Sequence, residues 1–427
     1  MTREPSAVSL VAEGASRIAD AVGAVLLCWL GWRMFFVLDS ALQGRALLVG
    51  LIGLLACWTD RRSPKNASLA LLAFVAIGLL SAAVPRWSAV ASTPDSTWWS
   101  LFTPASHLAV MAVFIYGAAY LLRTPRRLSW FVVLMALSVG ILAAQIAFDR
   151  ASVGFVYERG GPSLPSVPHW SGIHGASLFL TIGLGLVSAI ILSSRSLGRG
   201  MSGTLLAAGL FVAAYLNGSR GGLASMGVVA GAMMLFALID RSRFRFKPVV
   251  MLGAVAALSV GGALAMWSLR DRFNNGQDFS GRTLIWEATA RLAADHPWLG
   301  VGPGRFPQAI IESGYPDYYL KYYGALNNAH NLFLQVAAET GVIAALCLLG
   351  FALSSMWACW RAWAVGETPI VALGVLFAIF GFLVHSVSEN VLEARAEVER
   401  TRLLVWMVLA AACALQRLPR AYADQRA

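Results

Sequence analysis

Residues 270–331, RDRFNNGQDFSGRTLIWEATARLAADHPWLGVGPGRFPQAIIESGYPDYYLKYYGALNNAHN, form the only long polar segment of an otherwise apolar chain. One apolar run precedes this segment and another follows it. The segment carries several arginines, a histidine near its end and five of the ten tyrosines. We predict that it is a loop held against a membrane by a ring of helices, and that it carries the chemistry of the protein.

The remaining sequence is typical of an integral membrane protein. Hydrophobic residues make up 58% of the 427 residues and charged residues only 13%, whereas soluble domains have about 25% charged residues. A bilayer needs about 20 apolar residues per helix. We predict an all-α polytopic fold, a single membrane domain over 1–427, with about twelve transmembrane helices and a large helix-containing loop, 269–331, between the ninth and tenth. The expected spans are 21–38, 42–58, 67–84, 106–122, 129–147, 172–193, 202–217, 222–240, 248–268, 333–357, 369–386 and 401–416.

The formal net charge of +11 indicates topology and not nucleic-acid binding, because the charges lie in short loops between apolar runs. If the N-terminus is cytoplasmic, the cytoplasmic segments hold more than twice as many Lys and Arg residues as the short loops on the other face. This bias predicts that both termini are cytoplasmic and that the large loop is external. The first 19 residues do not resemble a cleaved signal peptide. The five cysteines form neither a disulfide framework nor a CxxC site.

Inside the loop, the pattern predicts a helix from Thr283 to Asp295. Leu284, Ala288 and Leu292 recur at a spacing of four on one face. Ser280 is an expected N-cap, and the His-Pro pair at 296–297 ends the helix.

Three arginines are candidates for binding an anion. Arg220 lies in a short glycine-flanked turn between two apolar runs, where its planar fork suits a phosphate or diphosphate; the alternative is a snorkelling side chain at a helix end. Arg282 begins the loop helix, whose N-terminal amides also favour an anion; the alternative is a surface residue. Arg159 stands beside two glycines in another outer segment and is a weaker candidate. Arg291 and Arg305 are further loop arginines for substrate binding.

His330 lies where the chain returns to the membrane. Asn327 or Asn328 is the expected cap of the following helix. A helix N-terminus and neighbouring arginines disfavour the imidazolium, so that His330 can act as a neutral general base. The alternative is a histidine that only satisfies a helix end. Glu389, in the last outer segment, is expected to pair with one of the arginines.

Two other features of the loop leave alternatives open. The turn Gly300–Gly304 lacks the strand and the Lys-Ser/Thr of a P-loop, which favours a sharp turn over a phosphate cradle. The tyrosines from Tyr315 to Tyr323, with Tyr318 among them, either stack on sugar rings or line the membrane interface. The outer loops carry no Asp-x-Asp pair, so arginines would have to replace a divalent cation on a diphosphate.

Taken together, these motifs resemble the O-antigen ligase family of the larger ligase and polymerase group of polytopic glycosyltransferases. The resemblance rests on Arg282, Trp286, the series Pro297-x-x-Gly-x-Gly-x-Gly-x-Phe306, the signature Ala329-His-Asn with Glu339-x-Gly341, the turn Ser219-Arg-Gly221 and the pair Ser388-Glu389. Its characteristic part covers about residues 200–345. These motifs do not separate a ligase from a polymerase, and the overall look of the chain favours a ligase.

The resemblance implies a reaction at the periplasmic face of the bacterial inner membrane. A glycan linked to undecaprenyl diphosphate would be transferred to a sugar hydroxyl of lipid A-core by a metal-independent, inverting displacement that needs no cofactor. His330 would be the base, and Arg220 and Arg282 would bind the diphosphate. Arg159 matches a family arginine less securely, because the residues after it depart from the family pattern.

Other classes of protein remain open at this point. An O-antigen polymerase and a ligase that attaches glycan to protein belong to the same superfamily. A lipid flippase or transporter fits the number of spans, but its essential charges usually lie at mid-membrane, and here they gather at one face. A scaffold of an export complex would tolerate the loss of His330.

Overall fold

The structure of the protein is a computed structural model that describes residues 7–36, 42–59, 68–83, 98–153, 172–193, 197–239, 282–313, 328–365, 368–389 and 399–426. The predicted span 248–268, the expected cap at Ser280 and the candidates Arg159 and Tyr318 lie outside these residues. For Arg220 the structure describes the backbone.

Within the described residues the secondary structure is entirely helical. The helices are α1 (Ala7–Phe36), α2 (Leu42–Thr59), α3 (Leu69–Ala83), α4 (Trp98–Leu121), α5 (Pro125–Val153), α6 (Gly172–Ser193), α7 (Leu197–Asn217), α8 (Arg220–Ile239), α9 (Arg282–Asp295), α10 (Phe306–Glu312), α11 (Leu332–Thr340), α12 (Val342–Val365), α13 (Pro369–Ser386) and α14 (Glu399–Arg426).

Eleven of the twelve predicted spans fall on these helices. In the described part of the chain, α5, α6, α7, α8, α12 and α13 are long and apolar enough to cross a membrane, and α2, α3, α4 and α14 contain shorter apolar stretches. The prediction of a polytopic helical membrane protein is therefore confirmed.

The predicted tenth span, 333–357, is wrong as a single helix. The chain forms α11, breaks at Gly341 and continues as α12. Gly341 has a φ of 94°, and a Cβ there would lie 2.1 Å from the carbonyl oxygen of Trp298. Gly341 thus ends α11, because its backbone has a positive φ and lies against the backbone of Trp298 in the loop. The apolar character of the sequence does not reveal this break.

The loop helix is confirmed as α9, but its buried face coincides only in part with the apolar repeat at 284, 288 and 292. Leu284 is 49% exposed, and the buried side chains are Ile285, Thr289, Leu292 and Ala293. The helix is rotated so that Thr289 faces inward, where its hydroxyl donates to the carbonyl oxygen of Ile285 at 2.6 Å. This hydrogen bond within the helix satisfies the Thr289 hydroxyl, so that a residue outside the apolar repeat can be buried.

Close packing of α6 against α13 positions the site. A Cβ on Gly185 of α6 would lie 2.4 Å from the backbone nitrogen of Ala378 of α13, so the two helices are in backbone contact. Such small residues permit close approach in lipid. The two helices are antiparallel, and the N-terminus of α6 consequently lies beside the C-terminus of α13.

Helix α3 connects two different polar regions. At its start, the Ser68 backbone nitrogen donates to the hydroxyl of Tyr116, near the end of α4. At its other end, the Ser81 hydroxyl donates to the carbonyl oxygens of Leu299 in the loop and Glu339 in α11. A helix of this length spans about 20 Å at 1.5 Å per residue. The loop and the α4–α5 turn therefore lie at opposite ends of the bundle.

Candidate functional site

Glu389 is the centre of a cluster of basic side chains just beyond the C-terminus of α13. The residue is only 3% exposed. Its Oε1 accepts a hydrogen bond from Nη2 of Arg282 at 2.6 Å and lies 2.7 Å from Nδ1 of His174. Its Oε2 lies 2.9 Å from Nδ1 of His330. Four segments that are distant in sequence thus meet at one carboxylate, which we call the Glu389 cluster.

The charge of Glu389 follows from these contacts. Burial raises the pKa of the Glu389 carboxyl, but the hydrogen bonds of His174 and His330 and the charge of Arg282 outweigh burial and hold this pKa well below its usual range. The carboxylate is therefore ionised at neutral pH. Both Nδ1 atoms donate to it, and a neutral ring keeps its lone pair on Nε2.

Arg282 is fixed twice by the turn that follows α13. Besides its contact with Glu389, its Nη1 donates to the backbone oxygen of Ser388 at 2.6 Å. The side chain keeps 20% exposure. A guanidinium has five N–H donors, so further donors remain for a ligand. The arginine–Glu389 pair that the sequence led us to expect is present.

The backbone of His330 is held in a left-handed conformation. Its φ is 48°, and it is the only non-glycine residue with a positive φ in the described part of the chain. Such a conformation costs on the order of 1–3 kcal/mol and persists when the surroundings impose it. Here the His330 N–H donates to Oδ1 of Asn328 at 2.9 Å, and the Ala329 N–H donates to Oε1 of Gln335 at 3.0 Å. These bonds and Glu389 together set the direction of the ring.

The expected cap of α11 at Asn327 or Asn328 is wrong. Asn331 is the N-cap, and its Oδ1 accepts from the Leu334 N–H at 3.0 Å. Asn328 is instead used to hold the N–H of His330. The helix therefore begins directly after the histidine, whose ring lies at the positive end of the helix dipole.

The turn between α7 and α8 brings the backbone of Arg220 to the same region. Ser219 accepts from the Gly222 N–H at 3.1 Å and so caps α8. A Cβ on Gly221 would lie 2.9 Å from the hydroxyl oxygen of Ser388. Asn217 donates to the Ser177 hydroxyl at 2.9 Å and ties the turn to α6. Arg220 is thus the first residue of a helix that begins against the turn carrying Glu389.

Four helix N-termini converge on this turn: those of α6, α8, α9 and α11. Each helix N-terminus carries the equivalent of roughly +0.5 charge. The four together provide roughly two positive charges and Arg282 adds a full one, whereas Glu389 and the C-termini of α7 and α13 together offset roughly two. The region therefore keeps a net positive charge, which suits an anion.

The glycine turn that starts at Gly300 is structural. The Val301 N–H donates to the Ala338 oxygen and the Gly302 N–H donates to the Glu339 oxygen, both at 2.8 Å. A Cβ on Gly300, whose φ is 61°, would lie 2.2 Å from the backbone of Glu339. These amides are occupied by α11 and do not point at a phosphate, so a sharp turn describes this segment.

The other sequence candidates lie outside the Glu389 cluster or at its margin. Arg291 is exposed and pairs with Glu287 one turn earlier on α9. Arg305 lies over Gly302, whose Cβ would be 3.1 Å from its Cδ. Trp286 is one turn after Arg282, and its Nε1 is buried without a hydrogen-bond partner among the described residues.

Sequence reasoning missed His174. The residue lies in the first turn of α6, within an apolar run that was assigned to the membrane as a whole. Its side chain is 48% exposed, and its ring centroid is 5.9 Å from that of His330 in a T-shaped arrangement. A titratable side chain at the outer boundary of a predicted span was the signal that could have identified it.

Among the described residues, no group of three His, Cys, Asp or Glu side chains has an arrangement that could hold a metal ion.

Comparison with known proteins agrees with the motifs. Residues 204–349 match the family described as O-Antigen ligase. This range contains Arg220, Arg282 and His330, whereas His174 precedes it and Glu389 follows it. No curated protein matches the chain. The resemblance that the motifs indicate is thereby confirmed over residues 204–349.

Proposed function

We propose that the protein is an O-antigen ligase that transfers a glycan from undecaprenyl diphosphate to a sugar hydroxyl of lipid A-core. The family match supports a glycosyltransferase-like membrane enzyme of lipopolysaccharide biosynthesis. The specific donor and acceptor are part of the proposal. So are the location in the inner membrane, the twelve spans with both termini in the cytoplasm, and the periplasmic position of the site.

The observation that carries the proposal is that Glu389 holds His330 and Arg282 together at a convergence of helix N-termini. With Nδ1–H bound to Glu389, Nε2 of His330 is the basic atom. In the proposed step, it accepts the proton of the acceptor hydroxyl while the hydroxyl oxygen attacks the anomeric carbon. The bond from that carbon to the diphosphate oxygen breaks, and its electron pair leaves with the diphosphate. Glu389 stabilises the imidazolium that forms, as buried carboxylates do for catalytic histidines.

The diphosphate is bound by positive charge supplied by the protein in this scheme. Arg282 and Arg220 provide guanidinium groups, and the first turns of α8 and α9 provide backbone N–H groups. Preorganised donors directed at a leaving group are usually the largest single contribution to catalysis. This reaction requires neither a metal nor a cofactor.

Purified protein, lipid-linked donor and lipid A-core acceptor test the proposal. We expect His330→Ala to reduce transfer by about 10²–10⁴-fold, the range of general base catalysis. Arg220→Ala and Arg282→Ala should lower it by at least about 10²–10³-fold, because each removes charge from the leaving-group site. Arg126→Ala, an exposed arginine at the opposite end of the bundle, is the matched control and should retain normal transfer. Near-normal turnover in all three site variants would refute the proposed site.

The acceptor that the protein uses distinguishes an O-antigen ligase from a polymerase and from a protein ligase. A polymerase would extend the lipid-linked glycan itself, and a protein ligase would accept a polypeptide. Offering the three acceptors separately to the same preparation identifies which one is used. In cells, loss of a ligase should leave bare lipopolysaccharide core while lipid-linked polymer accumulates.

A further inference from the structure

His174 is a second imidazole on the carboxylate that holds His330. Its Nδ1 lies 2.7 Å from Oε1 of Glu389, yet 48% of its side chain is exposed. In an imidazole, Nε2 lies on the side of the ring away from Nδ1. Because Nδ1 binds the buried carboxylate and about half of the side chain is exposed, Nε2 is the nitrogen left for a ligand.

The two oxygens of Glu389 face different groups. Oε2 is bound by His330, the proposed base for the acceptor hydroxyl. Oε1 is shared by His174 and Arg282. His174 also lies one turn before Ser177, which contacts Asn217 and Gly222 in the turn that carries Arg220. His174 is consequently on the side of Glu389 that faces Arg282 and the turn between α7 and α8.

We infer that His174 is a further catalytic residue, which donates a hydrogen bond or a proton from Nε2 to the departing diphosphate while His330 takes the proton of the acceptor hydroxyl. This inference rests on the proposed function, because it assigns His174 to the leaving-group side of that same reaction.

The transfer of protons within the cluster supports the assignment of His330 as the base and His174 as the acid. The groups that face His174 are Glu389, Arg282 and His330, with His385 of α13 close enough to interact electrostatically. In the reaction His330 gains a proton and His174 gives one to the diphosphate oxygen. The total charge of the two rings, whose centroids are 5.9 Å apart, is therefore the same before and after.

The pH dependence of transfer tests the inference with the full-length protein. An essential neutral base and an essential protonated acid give a bell-shaped profile of kcat/KM. We expect His174→Gln to lower transfer by about 10²-fold at the optimum and to abolish the decline on the alkaline side. His296→Gln, which changes an exposed imidazole just after α9, should keep the rate and both limbs of the profile.

A second measurement does not depend on turnover. Binding of undecaprenyl diphosphate, the leaving lipid, should weaken as pH rises in the wild-type protein. In His174→Gln the affinity should be lower at acid pH and should depend less on pH than in the wild type. His174→Arg, which carries a permanent charge, should bind tightly across the same range.

Two results would overturn the role of His174. One is a uniform fall in rate with both limbs of the profile intact, since that is the effect of a merely structural residue. The other is His174→Gln with the rate, profile and lipid binding of the wild type. If the wild-type protein binds the lipid but transfers no glycan to any acceptor, the proposed function fails, and the binding measurement still decides whether His174 contacts the diphosphate.

Discussion

Asp20 and Glu389 are both buried carboxylates bound by basic side chains, but their partners differ in kind. Asp20 of α1 accepts from Arg123 at 2.6 Å and from Arg127 at 2.7 Å, at the end of the bundle where α4 turns into α5. Glu389 is bound by one arginine and two histidines at the end where the loop lies. The two clusters therefore lie at opposite ends of the bundle.

The difference lies in which charges can change. Arginine stays protonated at all physiological pH values, so the Asp20 cluster is a permanent ion pair that fixes α1 against α4 and α5. Arg123 is held further by Tyr120, whose ring centroid is 3.9 Å from the guanidinium carbon. In the Glu389 cluster two imidazoles can gain or lose a proton, and both are partly exposed. This difference indicates a structural role for the first cluster and is consistent with the catalytic role proposed for the second.

Glu389→Gln should separate the two clusters most strongly. The amide has nearly the same shape but cannot offset Arg282 or stabilise a His330 imidazolium. We expect transfer to fall by about 10³-fold, as when a preorganised electrostatic group is lost, while the protein still inserts and melts cooperatively. Transfer is measured with purified donor and acceptor. Activity within a few-fold of wild type would show that Glu389 has no part in the reaction.

Gly341→Ala should disrupt the loop end of the bundle alone. A Cβ at this left-handed residue collides with the Trp298 carbonyl oxygen, so we expect a severe loss of both transfer and thermal stability. Gly350→Ala on α12 is the matched control, because no atom lies within 4 Å of the Cβ position there. Equal behaviour of the two variants would contradict the close packing of the loop against α11 and α12.

Asp20→Asn should lower thermal stability and leave transfer intact, which is the opposite of the effect expected for Glu389→Gln. Loss of the carboxylate leaves two guanidinium groups without their shared partner, which costs on the order of 1–3 kcal/mol. We expect a lower thermal midpoint with transfer rates within about two-fold of wild type, the usual scatter for a site remote from chemistry. A variant that melts normally but transfers no glycan would reverse the roles assigned to the two clusters.

The smallest effect concerns stability at acid pH. Because the folded-state pKa of Glu389 lies below its ordinary value of 4.5, its ionised form contributes stability that is fully present above that value. The contribution is lost as pH falls below 4.5 toward the folded-state pKa. The difference in thermal midpoint between wild type and Glu389→Gln should therefore shrink as pH falls below about pH 4. A difference that grows below this pH would show the wrong sign.

Much of the fold could be predicted because hydropathy and charge act locally along the chain. The spans, the helix α9 and the arginine partner of Glu389 follow from such patterns. The break at Gly341 could not, because the collision that requires it comes from Trp298, 43 residues away in the chain. The buried face of α9 also depends on tertiary contacts, since a threonine that bonds its own helix can replace an apolar residue.

Local sequence patterns also identified some, but not all, residues of the candidate site. His330 and Arg282 stand out as isolated polar residues in the loop, and the structure joins them through Glu389. His174 was hidden by the apolar residues around it, and only the packing of α6 against α13 reveals its partner. The capping of α11 by Asn331 depends on the backbone angle of His330, which no sequence pattern reports.

The hydrogen bonds between the loop and the helix bundle have a consequence for substrate entry. Pro297 accepts from the Val342 N–H at 2.9 Å, and Ser81 reaches across to Leu299 and Glu339. These bonds hold the turn after α9 and the end of α11 against the membrane helices. In the proposed reaction, both lipid substrates therefore have to bring their headgroups to helix ends that are already fixed in place.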